Sequence, residues 1–457
     1  MLDINLELIK KYDRPGPRYT SYPTAPHFAE TFTHEDYLKE IHLTNLNNST
    51  PISVYFHLPY CDTLCYFCGC NMIITRNRSR VQEYIDYIKK EVLLFKDLIN
   101  PDRKISQLHW GGGTPTHLSP TEIADLAGFI AKNFEFTPGS ENSCEIDPRG
   151  LTKEHLEALK NSGFNRISMG VQDFDDKVQV AVNRVQPESM TVQVISWIRE
   201  LKFNSINLDL MYGLPHQTKA SFERTLDKVI EISPDRIAVF NYAHLPWMKK
   251  HMGLINEADI PSPEIKLDIL KMTIEKLVGA GYVFIGMDHF AKPDDELSIA
   301  FNEKKLYRNF QGYSTNSGLD MYSFGITSIS QLENIYAQNF KNEKEYFEAL
   351  NQGKLPVAKG YSLTADDHLR RYVIMKLMCD FELDIDSIEK KFNINFKSYF
   401  NWGLENLKMF ADDGLVTVTD NKISVVNLGQ LLIRNIALNF DGYIENNQDK
   451  AKYSKTL

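Results

Sequence analysis

Three cysteines stand within eight residues of one another, in a stretch that reads C-D-T-L-C-Y-F-C. They are Cys61, Cys65 and Cys68, and thiolates at this density usually hold a metal ion or an iron–sulfur cluster. A cubane of four irons bound by three cysteines keeps one iron open to a small molecule, whereas a structural metal site is closed by four protein ligands. The spacing therefore favours a catalytic iron–sulfur cluster.

Two other uses of these thiols remain open at this point. A zinc site could take Cys70 or His57 as its fourth ligand, but structural zinc prefers paired cysteine elements that are well separated in sequence. The remaining cysteines, Cys144 and Cys379, stand alone. A disulfide is the weaker alternative, because the start of the chain lacks a signal peptide and a reducing compartment is expected.

Composition sets the class of protein. The chain has 457 residues, of which 43% are hydrophobic and 24% charged, with a net charge of −9. These values predict a soluble enzyme of two or three domains and argue against general nucleic-acid binding, which needs a basic face. No apolar run approaches the ~20 residues that cross a bilayer. We therefore expect a cytoplasmic protein with no membrane partner.

Short β-rich runs alternate with amphipathic stretches in the middle of the chain, which predicts an α/β fold with a parallel sheet covered by helices. The predicted strands are Ile52–Leu58, Ser106–Trp110, Ser143–Asp147, Arg166–Val171, Ile206–Met211 and Arg236–Tyr242. The predicted helices include Val81–Leu98, Thr121–Phe134, Thr152–Ser162 and Ser221–Ile232. Six such repeats fit an open, partial (β/α)6 barrel of the TIM type.

Unusual polar or glycine-rich residues follow every predicted strand. These stretches are His57–Cys70, Gly111–Thr116, Glu145–Arg149, Gln172–Phe174, Gly213–Gln217 and Asn241–Pro246. In barrels of this kind the site lies at the carboxyl ends of the strands. The sequence therefore predicts one site assembled from all six strand ends.

The run Gly111–Gly113 lets a ligand lie against exposed backbone groups, although a glycine run is often only a turn. It lacks the lysine of a phosphate-binding loop, so a backbone clamp for an amino-acid-like ligand fits better than a phosphate cradle. Glu145 and Asp209 could each accept two ribose hydroxyls. Alternatively, they could cap helices or pair with Arg149 or Arg166.

Four further residues have two interpretations each. Gln172 and Arg184 could hold the polar atoms or the carboxylate of a ligand, or could be surface hydrogen-bonding groups. Phe67 could shield the cluster or pack on a flat base, or could only pack its loop. His109, like His57, lies on a predicted strand and is more often a hydrogen-bonded core histidine than a ligand.

From about Asp366 the predicted secondary structure changes to three helices followed by a hairpin. The hairpin strands are Leu415–Thr419 and Lys422–Val426, joined at Asp420–Asn421. This pattern predicts a mostly helical, winged-helix-like module. We interpret it as a structural cap, because the mixed charge of its helices does not favour DNA binding.

The cysteine spacing after a first strand, with a glycine-rich loop after the second, resembles the radical S-adenosylmethionine (SAM) enzymes. Further motifs resemble one family among them, the oxygen-independent coproporphyrinogen III oxidases. They are G-P-R-Y-T-S-Y-P-T at 16–24, C-G-C at 68–70, H-W-G-G-G-T-P-T at 109–116, R-I-S-M-G-V-Q-D-F at 166–174, Y-G-L-P at 212–215, F-N-Y-A-H-L-P at 240–246 and N-F-Q-G-Y at 309–313. The resemblance extends over nearly the whole chain.

This resemblance implies a [4Fe–4S] cluster on Cys61, Cys65 and Cys68, with SAM bound at the open iron. It implies oxidative decarboxylation of two propionates of coproporphyrinogen III to vinyls, giving protoporphyrinogen IX, by a 5′-deoxyadenosyl radical made from SAM. An electron donor and an electron acceptor are then required. We also expect a monomer.

The family also implies two SAM molecules per site, with contacts carried over by position. The first SAM would contact Tyr55, Phe67, Gly112, Glu145 and Ile329. The second would contact Gly113, Thr114, Gln172, Arg184, Asp209 and Ala243. Phe310 and Gln311 resemble a segment that closes over the site, and Arg18 could hold a substrate carboxylate or be a surface arginine. The stretch Tyr322–Ser330 departs from the family's glycine-rich pattern. The assignment of Ile329 as a SAM contact therefore has the weakest support among these residues.

The resemblance divides the chain into four segments. Residues 1–50 would cover the substrate, 51–300 form the core barrel, 301–365 extend the barrel and close it, and 366–457 form the C-terminal domain. The nearest alternative function is that of the radical SAM-type haem chaperones, which bind and transfer haem. Those proteins keep the three cysteines but typically lack the fourth cysteine, the N-terminal motif and N-F-Q-G-Y, all of which this chain has.

Overall fold

A computed structural model describes residues 5–12, 14–446 and 453 of the chain. The described residues form two compact units. The barrel unit comprises 28–266 and 318–362, and the second unit comprises the described parts of 1–27, 267–317 and 363–457. The predicted segments 1–50 and 366–457 therefore include some positions outside the described residues, and the division of roles among the four segments stays a prediction.

Six parallel strands form the core of the barrel unit and lie side by side in chain order. They are β1 (Ile52–Leu58), β2 (Ile105–Gly112), β3 (Phe136–Ile146), β4 (Arg166–Gln172), β5 (Ser205–Tyr212) and β6 (Arg236–Asn241). The predicted α/β fold with six repeats is confirmed. Two strands are longer than predicted by more than one residue at an end: β3 begins at Phe136, and β2 includes Gly111 and Gly112, because they pair with His57 and Leu58 of β1. The other bounds that differ from the prediction do so by one residue.

Helices connect these strands. They are Arg78–Lys96, Pro120–Asn133, Lys153–Asn161, Asp176–Ala181, Glu188–Glu200 and Lys219–Ile232. The first begins earlier than the predicted Val81, because the Asn77 side chain caps it by accepting from the N–H groups of Ser79 and Arg80. Its apolar face, which includes Ile88, is buried. Capped amphipathic helices of this kind fix the direction in which each strand enters the sheet.

The barrel unit has four more strands beyond β1. Met321–Phe324 pairs in parallel with β1, and Ile329–Gln331, Ile335–Asn339 and Val357–Ser362 follow in antiparallel order. The helices His34–Asn45 and Glu343–Asn351 also belong to this unit. Since strands continue beyond β1, the sheet of this unit is longer than the six predicted repeats.

The second unit is rich in helices. Its helices include Leu6–Tyr12, Glu296–Asn302, Ala365–Asp380, Ile385–Phe392, Phe396–Tyr399, Asn401–Asp412, Ile433–Ala437 and Gly442–Glu445, and the helix Pro263–Gly279 spans the division between the units. Two hairpins pair Val283–Gly286 with His289–Ala291 and Tyr307–Asn309 with Gly312–Ser314.

The predicted C-terminal hairpin is present as Val416–Val418 and Lys422–Val425. A third strand, Glu382–Asp384, pairs with Lys422–Val425 and completes a small antiparallel sheet. Nothing in the local sequence indicated that strand, because it has only three residues. No helix in the described residues combines the length and apolar character needed to cross a bilayer.

A carboxyl group is buried in the barrel unit at Glu91. Its Oε2 accepts from the N–H of Gly325 at 2.8 Å and from the hydroxyl of Tyr346, and its Oε1 accepts from Nδ2 of Asn339 at 2.8 Å. Burial raises the pKa of Glu91 from 4.5 to about 7, although these donors act to lower it. The carboxyl group thereby joins the long helix to strands at the far edge of the sheet.

Substitution Glu91→Gln tests this burial. Because the pKa of the folded state exceeds that of the unfolded state, the folded protein binds an extra proton between pH about 4.5 and about 7. The contribution of Glu91 to stability therefore falls as pH rises through that window. We expect the Tm of Glu91→Gln to improve relative to the wild type between pH 5 and pH 8, measured by calorimetry. A constant difference in Tm across that range would contradict the assignment.

Candidate functional site

A cavity opens at the carboxyl ends of β1 to β5, where the sequence predicted the site. It encloses about 730 Å³ of empty space, its open mouth included. Its lining comprises Cys61, Thr63, Cys65, Phe67, Cys68, Cys70, Met72, Gly112, Gly113, Thr114, Glu145, Ile146, Asp147, Arg149, Ser168, Gly170, Gln172, Arg184 and Asp209. Most of the predicted site residues thus face one space.

Strand pairing places the cysteine loop over this cavity. The backbone N–H of Gly113 donates to Leu58 O at 2.8 Å, and that of Thr114 donates to Tyr60 O at 2.9 Å, so β1 and β2 stay paired beyond their ends. A Cβ at position 113 would overlap the Pro59 carbonyl. Gly113 is therefore required for the close approach of two chain segments. The ligand clamp predicted for the run Gly111–Gly113 stays a prediction.

Contacts from later parts of the chain hold the other side of the loop. Nδ2 of Asn183 donates to Leu64 O at 2.8 Å, and Nε2 of His251 lies 2.8 Å from Cys68 O. Cys65 and Phe67 belong to an apolar cluster with Val178, Val182, Leu214, Tyr242 and Ile255. Phe67 therefore both packs its loop and lines the cavity, so its two interpretations are compatible.

The three thiols occupy different positions around the cavity wall. Sγ of Cys61 lies 3.3 Å from the Thr114 hydroxyl, and Sγ of Cys65 accepts from Arg149 Nη2 at 3.2 Å. In the described part of the chain, no three His, Cys, Asp or Glu side chains are grouped as ligands of a single ion. Thiols spread around an open space suit a cluster, whose irons each bind one cysteine.

His57 has other partners than a metal in this fold. Its Nδ1 lies 3.1 Å from the Tyr55 hydroxyl and its Nε2 lies 2.9 Å from Asn71 O. Burial lowers its pKa, so a neutral ring with one donor and one acceptor nitrogen suits these contacts. The geometry agrees with the hydrogen-bonded core histidine and not with a fourth ligand.

Glu145 lies at the end of β3 and receives two donors. Its Oε1 lies 3.2 Å from His109 Nε2, and its Oε2 accepts from the N–H of Gly112 at 3.2 Å. Burial alone would raise its pKa, but His109 and this N–H outweigh burial and lower it. The alternative of pairing with Arg149 or Arg166 was wrong, since those arginines pair with Asp147 and Glu141.

Asp209 accepts hydrogen bonds from two neutral groups. Its Oδ1 accepts from Nδ2 of Asn207 at 2.8 Å and its Oδ2 lies 3.4 Å from Ser168 Oγ. Burial raises the pKa of Asp209 to about 6. Nearby, Gln172 has a left-handed backbone with φ 67°, and its buried Oε1 has no hydrogen-bond partner among the described residues. An unpaired buried acceptor in a cavity wall fits a ligand that donates to it.

A third acid of this cavity, Asp147, was not among the predicted site residues. Its carboxylate accepts from Arg149 Nη2 at 2.6 Å and from Arg184 Nη1 at 3.0 Å. Asp147 and Arg149 belong to the polar stretch predicted after β3, which was the available signal. The pairing of Asp147 with Arg184 could not be read from the sequence, because 34 intervening residues separate the two arginines.

The remaining predicted residues lie elsewhere. Tyr55, Ala243 and Ile329 belong to the barrel unit but not to the described cavity lining. Phe310 and Gln311 belong to the second unit, between the strands of the hairpin Tyr307–Asn309 and Gly312–Ser314. Arg18 is also in that unit and forms an ion pair with Asp288. The roles of these residues stay predictions.

Two family models match the chain. Residues 55–229 match the Radical SAM superfamily, and residues 363–432 match the HemN C-terminal domain. Curated relatives called oxygen-independent coproporphyrinogen III oxidase are 45% identical: that of Synechocystis sp. over 460 residues, which is 100% of this chain and 98% of the relative, and that of Escherichia coli K12 over 456 residues, which is 100% and 99%. The chain belongs to the family of oxygen-independent coproporphyrinogen III oxidases.

A solved structure supports this family at the level of the fold. The Escherichia coli coproporphyrinogen III oxidase HemN, described as a radical SAM enzyme, matches with a TM-score of 0.92 and 45% identity, over 97% of this chain and 99% of that chain. Membership of the radical SAM superfamily implies a [4Fe–4S] cluster and SAM. Full-length similarity to oxidases favours the oxidase function over the haem chaperone alternative.

Substitution Gly113→Ala tests the close approach of β2 to the cysteine loop. The added Cβ overlaps the Pro59 carbonyl, so we expect a loss of roughly 1–3 kcal/mol in stability and a lower iron content after anaerobic reconstitution. The matched control is Gly128→Ala, where a Cβ meets no atom within 4 Å. Thermal unfolding and iron analysis of both variants measure the effect. Equal iron content and Tm in the two variants would contradict this role.

Proposed function

We propose that this chain catalyses the oxidative decarboxylation of two propionate groups of coproporphyrinogen III to vinyl groups, giving protoporphyrinogen IX. The observation that carries the proposal is the grouping of Cys61, Cys65 and Cys68 around one cavity. It occurs in a chain that is 45% identical over its full length to oxygen-independent coproporphyrinogen III oxidases. Either observation alone would leave the substrate or the chemistry open.

We propose that the three thiolates hold a [4Fe–4S] cluster, with SAM beside it. When bound, these groups supply a 5′-deoxyadenosyl radical that removes hydrogen from a propionate. The chain's own residues orient and enclose the reactants. Phe67, Met72 and Ile146 line the cavity with apolar surface, which excludes water from a reactive site.

The two acids at the strand ends support the proposal of two SAM molecules per site. Glu145 has a lowered pKa and is suited to accept from a ribose or an ammonium group as a carboxylate. Asp209 lies on β5 and accepts from neutral donors, whereas Glu145 lies on β3. The two acids can therefore serve separate ligands. Gln172 and Arg184 add polar groups on the Asp209 side of the cavity.

Several parts of this function lie outside the barrel cavity. We propose that Phe310 and Gln311 close over the reactants and that Arg18 holds a carboxylate of the substrate. The reaction needs a low-potential electron donor and a final electron acceptor. We further propose that the protein acts as a monomer in the cytoplasm, without nucleic acid or membrane, in keeping with its net charge of −9.

Anaerobic turnover tests the function. The protein is reconstituted with iron and sulfide and given SAM, a strong reductant and coproporphyrinogen III. We expect protoporphyrin after oxidation, together with 5′-deoxyadenosine, and loss of both in Cys65→Ser. The control is Cys379→Ser, a buried cysteine of the other unit. A protein that holds its cluster and binds haem but releases no protoporphyrin would contradict the proposal and favour a haem chaperone.

Cys70 supplies a second test. It lines the cavity two residues after Cys68, and its carbonyl accepts from Lys249 Nζ at 2.8 Å. We expect Cys70→Ser to keep four irons per chain but to lower turnover, because this thiol lies beside the reactants without holding iron. Iron analysis and product formation measure the two effects. Undiminished turnover, or failure to hold the cluster, would count against this role.

A further inference from the structure

Two guanidinium groups face one of the three cluster thiols. Arg149 Nη2 lies 3.2 Å and Arg184 Nη1 lies 3.6 Å from Sγ of Cys65. Both distances are those of hydrogen bonds to sulfur, and both donors carry a full positive charge. Cys61, by comparison, contacts the neutral hydroxyl of Thr114. Lys249 and His251 act electrostatically on Cys68, so Cys65 is distinguished among the three thiols by its direct contact with two guanidinium groups.

Asp147 fixes both arginines in this position. It accepts from Arg149 through Nη2 at 2.6 Å and Nε at 3.0 Å, and from Arg184 through Nη1 at 3.0 Å. Arg184 also donates from Nη2 to Gly170 O at 2.7 Å. The side chain of Arg149 is 18% exposed and that of Arg184 is 9% exposed, so solvent screens their charges only in part.

The group of two arginines and one aspartate has a formal net charge of +1 beside Cys65. One electron from a low-potential donor reduces a [4Fe–4S]²⁺ cluster to [4Fe–4S]⁺ and oxidises the donor by one electron. The added negative charge is stabilised by positive groups and by N–H donors at the ligating sulfurs, which raise the reduction potential. A cation fixed at Cys65 therefore favours the electron transfer that begins the reaction.

We propose that Arg149 raises the reduction potential of the cluster through Cys65, and that Asp147 is the positioning residue that holds Arg149 there. This inference rests on the proposed function, because it assumes a cluster on the three cysteines. It differs from a purely structural pairing of Arg149 with Asp147, which would stabilise the loop and leave the potential unchanged.

The test is an EPR-monitored redox titration of the reconstituted protein, with iron and sulfide counted for each variant. Arg149→Gln and Arg149→Met remove the positive charge, Arg149→Lys keeps it, and Asp147→Glu keeps the negative charge but displaces the carboxylate that holds both arginines. The control is Arg166→Gln. This substitution removes a similarly buried arginine at the start of β4, which pairs with Glu141.

We expect the neutral variants at position 149 to be about tenfold harder to reduce, which is a shift of about 59 mV to lower potential for one electron. Asp147→Glu should shift in the same direction by less, while Arg149→Lys and Arg166→Gln should stay near the wild type. A cluster that assembles in Arg149→Lys but in neither neutral variant would also support a need for charge at this position.

Two results would overturn the inference. One is a neutral variant with a full cluster and an unchanged potential. The other is loss of the cluster in all three variants at position 149, including Arg149→Lys, because that pattern indicates a structural role. Both are measured without coproporphyrinogen III. If the variants show the expected shifts in reduction potential but the wild-type protein forms no protoporphyrin, the proposed function is refuted and this inference stands.

Discussion

The cavity depends on backbone pairing that continues past the ends of two strands. Gly113 donates to the carbonyl of Leu58, the last residue of β1, and Thr114 donates to that of Tyr60; this pairing brings the Thr114 hydroxyl within 3.3 Å of the Cys61 thiol. The approach is so close that position 113 has no room for a side chain. Because the cysteine loop begins at this contact, the pairing sets the point at which the loop enters the cavity wall.

Three acids of the cavity have three different electrostatic environments. Glu145 faces a histidine and a backbone N–H, and Asp147 faces two arginines. Asp209 accepts from neutral donors, while the nearby charge of Glu145 raises its pKa and that of Arg184 lowers it. Burial opposes ionisation in all three, and it prevails only at Asp209, whose pKa rises to about 6. The same residue type can therefore serve as an ionised acceptor, as the support for a pair of cations and as a weaker acid within one site.

The sequence was sufficient to predict the six core strands and the end of the sheet at which the site lies. Both predictions rest on local signals, namely β-rich runs and the polar residues that follow them. It also indicated Glu145 and Asp209. It could not show that Asp147 binds Arg184, or that Gly113 packs on Pro59, since those contacts join segments far apart in the chain. The short strand Glu382–Asp384 was not predicted for a related reason. It is a strand because it pairs with Lys422–Val425, which is distant in the chain.

The central claim is that this cavity directs hydrogen removal from the propionates of coproporphyrinogen III. The most direct measurement uses substrate deuterated in those side chains and counts deuterium in the 5′-deoxyadenosine released under anaerobic turnover. The account predicts transfer of deuterium, with two 5′-deoxyadenosine molecules for each protoporphyrinogen IX. Formation of 5′-deoxyadenosine without deuterium would contradict it, because the radical chemistry would then act on something other than the proposed substrate.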